Sequence, residues 1–169
     1  MKIIIAGGSG QVGSILARAF QQRGHDVTVL SRNGSDRTLA VKRARPWRVV
    51  KWDGATLNGW SDSIEGSDVV INLAGRSVNC RYTSANRRSI LDSRLLSTRA
   101  VAQAIAPAKR PPRVWLQAST ATIYSHRYDA PNDETSGIIG GDEHDAPSAW
   151  RFSIDVARSW EREFDLAMG

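Results

Sequence analysis

A single cysteine, Cys80, stands among 169 residues, so no disulfide can form within the chain. That scarcity suits a reducing compartment. Long apolar runs are missing too, and no stretch approaches the ~20 residues a membrane helix requires. Before its first glycines the N-terminus offers one lysine and a few apolar residues, too few for the apolar core of a secretory signal. A cytoplasmic, soluble chain is therefore expected, with no membrane partner. Histidine occurs only at His25, His126 and His144, without metal-binding spacing. Asp142-Glu143 with Asp145 reads as a solvated acidic loop, so no metal site is expected. Lysine is absent after Lys109, and tyrosine occurs only at positions 82, 124 and 128.

What is present is ordinary for one globular domain: 41% hydrophobic and 24% charged residues in 169. The formal net charge is +6, which calls for an anionic partner to be considered. The basic residues are mostly arginines scattered from Arg32 to Arg113, with pairs such as Lys42-Arg43 and Arg87-Arg88. Nothing resembles a basic helix–turn–helix, a zinc module or an aromatic-studded nucleic-acid motif. A phosphorylated cofactor plus general surface charge accounts for the arginines more simply than nucleic acid does.

The most informative stretch is Gly7-Gly8-Ser9-Gly10-Gln11-Val12-Gly13, directly behind the apolar run Ile3-Ile4-Ile5-Ala6. It satisfies two spacings, Gly7-x-x-Gly10-x-x-Gly13 and Gly8-x-Gly10-x-x-Gly13. One glycine permits a sharp turn, and a second removes the Cβ that would hold a pyrophosphate off the backbone. The third lets the following helix pack closely. Amides of this loop and of the helix start (Gly7, Ser9, Gly10, Gln11, Val12, Gly13) would then face a diphosphate, aided by the helix dipole. A dinucleotide site is expected here.

Along the chain, Lys2–Ala6, Asp26–Leu30, Arg48–Trp52, Asp68–Leu73 and Val114–Ser119 read as strands. Gln11–Gln22 reads as a helix with Val12, Ile15, Leu16, Ala19 and Phe20 on its apolar face, stopped by Gly24. Thr56–Ile64 reads as a short helix ended by Gly66, and 84–106 as a long one stopped by Pro107. Residues 125–149 read as a long loop. Trp150–Met168 reads as a last helix with Phe152, Val156, Trp160 and Phe164 on one side. This alternation predicts a single α/β, Rossmann-like domain over 1–169. Its doubly wound parallel sheet would have strand order 3-2-1-4-5, helices on both faces, and the ligand at the switch between strands 1 and 4. Strand two ends in Leu30-Ser31-Arg32. A ribose 2′-OH is usually held there by a carboxylate, whereas a 2′-phosphate wants an arginine. Arg32, with Arg37, Lys42 and Arg43 behind it, favours NADP over NAD.

The glycine turn, Asp53, Asn72-Leu73-Ala74-Gly75 and Ala118-Ser119-Thr120-Ala121-Thr122-Ile123-Tyr124 together resemble the extended short-chain dehydrogenase/reductases, which include nucleotide-sugar epimerases and dehydratases. Ser93-Arg94 with Thr98, Phe152 and Trp160-Glu161 resemble the atypical epimerase-like subgroup more narrowly. The resemblance implies that Asp53 accepts a hydrogen bond from the adenine amino group; a turn aspartate before Gly54 is the equal alternative. It implies that Leu73, Ala74 and Gly75 let the backbone approach the nicotinamide ribose. Members usually carry a further carboxyl-terminal lobe over the substrate, so the chain looks like an amino-terminal portion.

Working members use a Ser or Thr after strand five and a Tyr-x-x-x-Lys on the next helix, the lysine lowering the tyrosine pKa. Thr120 matches the first position. The pair is absent: Phe152/Val156 or Ser153/Ala157 stand on the expected helix, and the atypical subgroup shares that loss. Tyr124, His126 and Tyr128 remain as candidate acids, with Thr120 and Tyr124 the catalytic residues expected. A nucleophilic Cys80 would need a nearby base that the sequence does not reveal. Of six tryptophans, Trp115 is expected in the core and Trp150 and Trp160 on the last helix; Trp52 could lie near the adenine and Trp47 and Trp60 at the surface, with packing the default for all six. The expected function is an NADP(H)-binding, epimerase/dehydratase-like oxidoreductase on an unknown small substrate. A non-catalytic dinucleotide-binding or sensor module is the alternative. An exposed sheet edge is compatible with a homo-oligomer.

Overall fold

A computed structural model of the chain describes residues 1–33, 46–127, 129–141, 143–144 and 147–169. Arg37, Lys42, Arg43, Tyr128, Asp142 and Asp145, named above as candidates, lie outside these residues.

Five parallel strands form one sheet in the order β3-β2-β1-β4-β5. They are β1 (Lys2–Ala6), β2 (Asp26–Ser31), β3 (Arg48–Lys51), β4 (Val69–Asn72) and β5 (Val114–Gln117). The helices are α1 (Gln11–Gln22), α2 (Ser84–Ile105) and α3 (Ser148–Met168). The expected architecture is therefore present, and each of these elements ends within two residues of its expected boundaries. The central strands read as near-continuous apolar runs because both faces are covered. Ile4, Ala6 and Val70 join Ala100 and Val101 of α2 in one cluster. Ile3, Ile5, Val29 and Ile71 join Ala17 of α1 in the other.

Two expectations are corrected. On α1 the residues turned to the sheet are Gly13 and Ala17, with Leu16 and Phe20 partly buried. Val12 and Ile15 are 60% and 62% exposed. The helix lies so close to the sheet that small residues, not the bulkiest, take the contact face. Residues 56–64 form no α-helix; only a single 3-10 turn, Ser61–Ser63, is present. Asp53 diverts this segment by accepting the amides of Ala55 and Thr56, both at 2.8 Å, the side-chain-to-backbone competition that favours turns over helices. Trp60 is consequently turned inward and 1% exposed. Its indole donates to the Thr56 carbonyl at 2.8 Å, and its ring meets Trp52 edge-on at 5.2 Å. Trp47 is also partly buried, against the α1-side cluster.

The long loop is tied down where it leaves β5. Tyr124 bridges Ile139, the Ser125 amide donates to Ile138 O at 2.7 Å, and that of Gly140 to Ile123 O at 2.9 Å. Helix α3 packs on α2 through Trp160, whose indole donates to Thr98 Oγ1 at 3.1 Å. Among the described residues, no helix is long and apolar enough to cross a membrane.

Candidate functional site

The carboxyl ends of β1, β2, β3 and β4 open onto one cleft of about 300 Å³. Gly7, Ser9, Gly10, Ser31, Arg32, Trp52 and Asp53 line one side, and Leu73, Ala74, Gly75, Arg76, Ser93 and Leu96 the other. This is the switch point, where chain order forces the loops of β1 and β4 to part.

Each glycine of the first loop has a distinct reason. Gly7 has φ +72° and approaches β4 so closely that a Cβ would lie 2.8 Å from Ala74 Cα. A Cβ on Gly13 would lie 2.4 Å from Gly8 Cα, so the helix start is pressed against the turn itself. Around Gly10 the protein leaves room, its nearest neighbour being 3.4 Å away. Crowding within the chain therefore does not demand glycine at position 10. A ligand lying on that backbone does supply a reason.

Helix α1 starts after Gly10 with no side-chain cap and no acidic residue in its first turn. The Ser14 amide reaches Gly10 O at 2.9 Å, but those of Gln11, Val12 and Gly13 find no acceptor among the described residues. Uncapped donors at the positive end of a helix are an anion site. The Val12 and Gln11 side chains point outward and are exposed, so what these positions offer is backbone.

Beyond β2, Arg32 is exposed on the rim, and an adjoining hollow is lined by Arg32, Lys51, Trp52, Asp53 and Asn58. Lys51 had no sequence signal beyond its charge. Asp53 lies here as expected, but its carboxylate is already engaged. Oδ1 accepts the Ala55 and Thr56 amides, and Oδ2 accepts the Thr56 hydroxyl at 2.5 Å. These bonds, the Thr56 hydroxyl first, lower its pKa from an ordinary 3.8 to about 2. The carboxylate thus already works as a turn cap.

On the far side, Asn72 is fully buried at the end of β4. Its amide nitrogen donates to Gln117 Oε1 at 3.0 Å, and its Oδ1 accepts the Ala74 amide at 3.0 Å. One side chain thereby locks β4 to β5 and holds Ala74 against Gly7. Gly75 meets the Arg94 guanidinium, which would stand 3.2 Å from a Cβ there. Arg94 is held by Ile90 O at 2.9 Å and Arg76 O at 3.2 Å and lies over the Trp160 ring.

The candidate catalytic residues are not brought to this lining. Thr120 caps the short turn Ala121–Ile123, its Oγ1 3.0 Å from Thr122 Oγ1. Tyr124 is half-buried, its ring against Gly137. His126 packs at 5.1 Å against Trp150 with the rings tilted, His25 is tilted against Phe20, and His144 is exposed. Cys80 contacts Ser77 O at 3.9 Å and does not line the cleft. On α3, Phe152 meets Tyr82 edge-on and lies beneath the Arg87 guanidinium, while Val156 is buried. Arg76, Ser31 and Leu96 are lining residues that sequence motifs did not single out. Among the described residues, no group of His, Cys, Asp and Glu is placed to hold a metal ion.

The sequence pattern of the NAD dependent epimerase/dehydratase family matches residues 3–140. The chain belongs to that family. The epimerase family protein SDR39U1 of Bos taurus is 33% identical over 165 residues, covering 95% of this chain and 48% of the bovine protein. YfhF of Bacillus subtilis is 31% identical over 165 residues, covering 96% and 49%. The crystal structure of human SDR39U1 (isoform 2) with NADPH superposes with a TM-score of 0.72 at 28% identity, covering 97% of this chain and 48% of the human one. A UDP-glucuronic acid 4-epimerase from Bacillus cereus in complex with NAD shares the fold at 15% identity, with a TM-score of 0.70 over 99% of this chain and 52% of the other. The chain thus spans about half the length of the epimerase-family relatives it matches.

Proposed function

We propose that this epimerase-family chain binds NADP(H) across the crest of its sheet and serves an oxidoreductase reaction on a small substrate. One observation carries the reading: uncapped amides at the start of α1 face a cleft whose opposite wall is the closely approaching Ala74-Gly75 backbone. The residues present fit such a coenzyme, since the room left at Gly10 and the small residues at 74 and 75 are what a diphosphate and a ribose require. Arg32 and Lys51 would hold the 2′-phosphate. Arg32 stands at the end of β2, where a carboxylate would select a 2′-hydroxyl instead. The NADPH-bound human relative supports this preference, although the Bacillus cereus epimerase binds NAD.

The coenzyme would supply hydride transfer. The protein would orient it: the α1 amides fix the diphosphate, and Asn72 fixes the Ala74 backbone beside the ribose. Thr120 and Tyr124 are the candidates to hold a substrate oxygen and supply a proton. Neither has the lysine partner that activates such a tyrosine elsewhere, since lysine is absent after position 109.

The placement of Phe152 and Val156, where the resemblance puts Tyr and Lys, favours a second reading: a dinucleotide-binding or sensor module without turnover. A carbonyl panel separates the two. Loss of NADPH absorbance with any panel member, diminished by Thr120→Ala, supports the oxidoreductase. Binding with no turnover, and with NADPH affinity untouched by Thr120→Ala, supports the module.

A further inference from the structure

A locally basic segment follows the Ala74-Gly75 wall of the cleft. Residues 76–94 contain five arginines (76, 81, 87, 88 and 94) against one acidic residue, Asp92, within a chain of net charge +6. None of the five joins an ion pair among the described residues; the pairs there involve Arg99, Arg110 and Arg127. The acceptors holding Arg76, Arg87 and Arg94 are all neutral. Arg76 donates to Asn86 Oδ1 at 2.8 Å and Ser89 Oγ at 3.2 Å. Arg87 Nε donates to the Tyr82 carbonyl and its guanidinium lies over Phe152, while Arg94 is taken up by backbone carbonyls.

Arg76 is the one of these that lines the cleft, beside Gly75 and Ser93, and its guanidinium is held at the start of α2. Its backbone is pinned as well, the amide donating to Ser93 Oγ at 2.9 Å. A guanidinium has five N–H donors; two of the five are engaged by side-chain oxygens on α2, which sets the direction of the fork while leaving donors to spare. Pre-orientation of this kind is what recognition of a carboxylate or phosphate uses. The setting adds to it, because α2 has no acidic residue in its first turn and carries Arg87 there with Arg88 next to it, a sign unfavourable to the helix dipole without an anion nearby.

The position of Arg76 identifies whose anion it would be. The strand order β3-β2-β1-β4 puts Arg32 and Asp53 at one end of the cleft and Arg76 at the other, with the glycine loop between them. A dinucleotide with its diphosphate on that loop and its 2′-phosphate at Arg32 has no further anion to offer at the β4 end. We infer that the substrate carries an oxyanion, carboxylate or phosphate, and that Arg76 receives it at the mouth of the cleft. This rests on the dinucleotide reading above.

The test titrates the NADPH-saturated, ¹⁵N-labelled chain with inorganic phosphate and, separately, with acetate, at ionic strength held constant with chloride. Shifts of the Gly75 and Ser77 amides report binding. Saturable shifts are expected with at least one probe, and the tighter one identifies the oxyanion. Arg76→Gln can keep a hydrogen bond to α2 without the charge, and should weaken that probe about tenfold while changing NADPH affinity less than twofold. Arg110→Gln, which removes an equal charge elsewhere, should leave the probe's affinity within twofold. Folding of each variant is checked by its amide spectrum, and Arg76→Lys should recover part of the affinity if the Gln variant is disturbed. The inference is overturned if neither probe shifts the loaded chain, if Arg110→Gln matches Arg76→Gln, or if Arg76→Gln loses NADPH as strongly as the probe. Failure to bind NADPH at all overturns the dinucleotide reading itself, and the inference with it.

Discussion

Asn72 and Arg32 act on the same cleft in opposite ways, one by holding backbone and the other by presenting charge. Replacing Asn72 with Ala strands the Ala74 amide and removes one donor to Gln117 Oε1. An unmet buried polar group costs roughly 1–3 kcal/mol. The expected outcome is a lowered urea midpoint together with weaker NADPH binding, and stability loss without any effect on binding would separate Asn72 from the site. Arg32 is exposed, so Arg32→Ala should leave stability unchanged. Charge-assisted hydrogen bonds contribute about 1.5–3 kcal/mol, so NADPH affinity should fall tenfold or more while NADH affinity barely moves. Equal losses for the two would remove the NADP preference. Asp53 gives a pH signature. Its pKa is depressed from 3.8 to about 2 by the Thr56 and Ala55 bonds, so the stabilisation of its turn is complete above about 3.8 and fades as pH falls towards 2. The Ala55 and Thr56 amide resonances should titrate with a midpoint near the lower value, and a midpoint at 3.8 would show that the carboxylate is not so engaged.

At the scale of elements, α1 shows what the sequence reveals and what it conceals. Its span was legible from the glycines before it and Gly24 after it, but its contact face was not. Apolar periodicity pointed to Val12 and Ile15, whereas close packing selected Gly13 and Ala17, and sequence pattern registers hydrophobicity rather than clearance. Gly13→Ala makes the distinction measurable. Helix propensity alone would favour Ala by about 1 kcal/mol. Overpacking of the kind a Cβ 2.4 Å from Gly8 Cα implies costs typically 1–3 kcal/mol. The expected net result is a lower Tm and lost nucleotide binding, while a stabilised variant would show that the turn can yield. The segment around Trp60 was misread for a related reason. Residues 56–64 resemble a helix only until the Asp53 side chain is seen taking the amides that would start one, and a side-chain-to-backbone bond leaves no periodic trace. Arg32 lines the cleft from the end of β2, and Leu73, Ala74 and Gly75, which the family resemblance had pointed to, line it from the end of β4. Arg76 was not legible, since a lone arginine looks the same whether it faces solvent or a cleft.

At the scale of the whole molecule, the described part of the β5 edge of the sheet is partly uncovered. Among the described residues, helices α2 and α3 pack together on one side of the sheet and α1 on the other. The β4–β5 register aligns Val114 with Val69 and Leu116 with Ile71, on the α1 side. There Val114 is 44% and Leu116 52% exposed. An apolar edge strand is an association liability. Leu116→Lys should therefore raise the concentration at which the protein stays monodisperse in sedimentation, with little change in Tm; a marked loss of Tm would mean that Leu116 is packed in solution. The global order of the sheet needed only the alternation of elements and the handedness of crossovers. Its chemistry depends on side chains gathered from distant segments, and those were legible only where a motif marked them.

Central to all of this is the grip of the α1 amides on a diphosphate. Calorimetric titration of the chain with NADPH, paired with thermal unfolding at the same nucleotide concentrations, tests it most directly. One-to-one binding and an upward shift of Tm are expected, both much reduced in Gly13→Ala. No heat and no shift with millimolar NADP(H) or NAD(H) would contradict it.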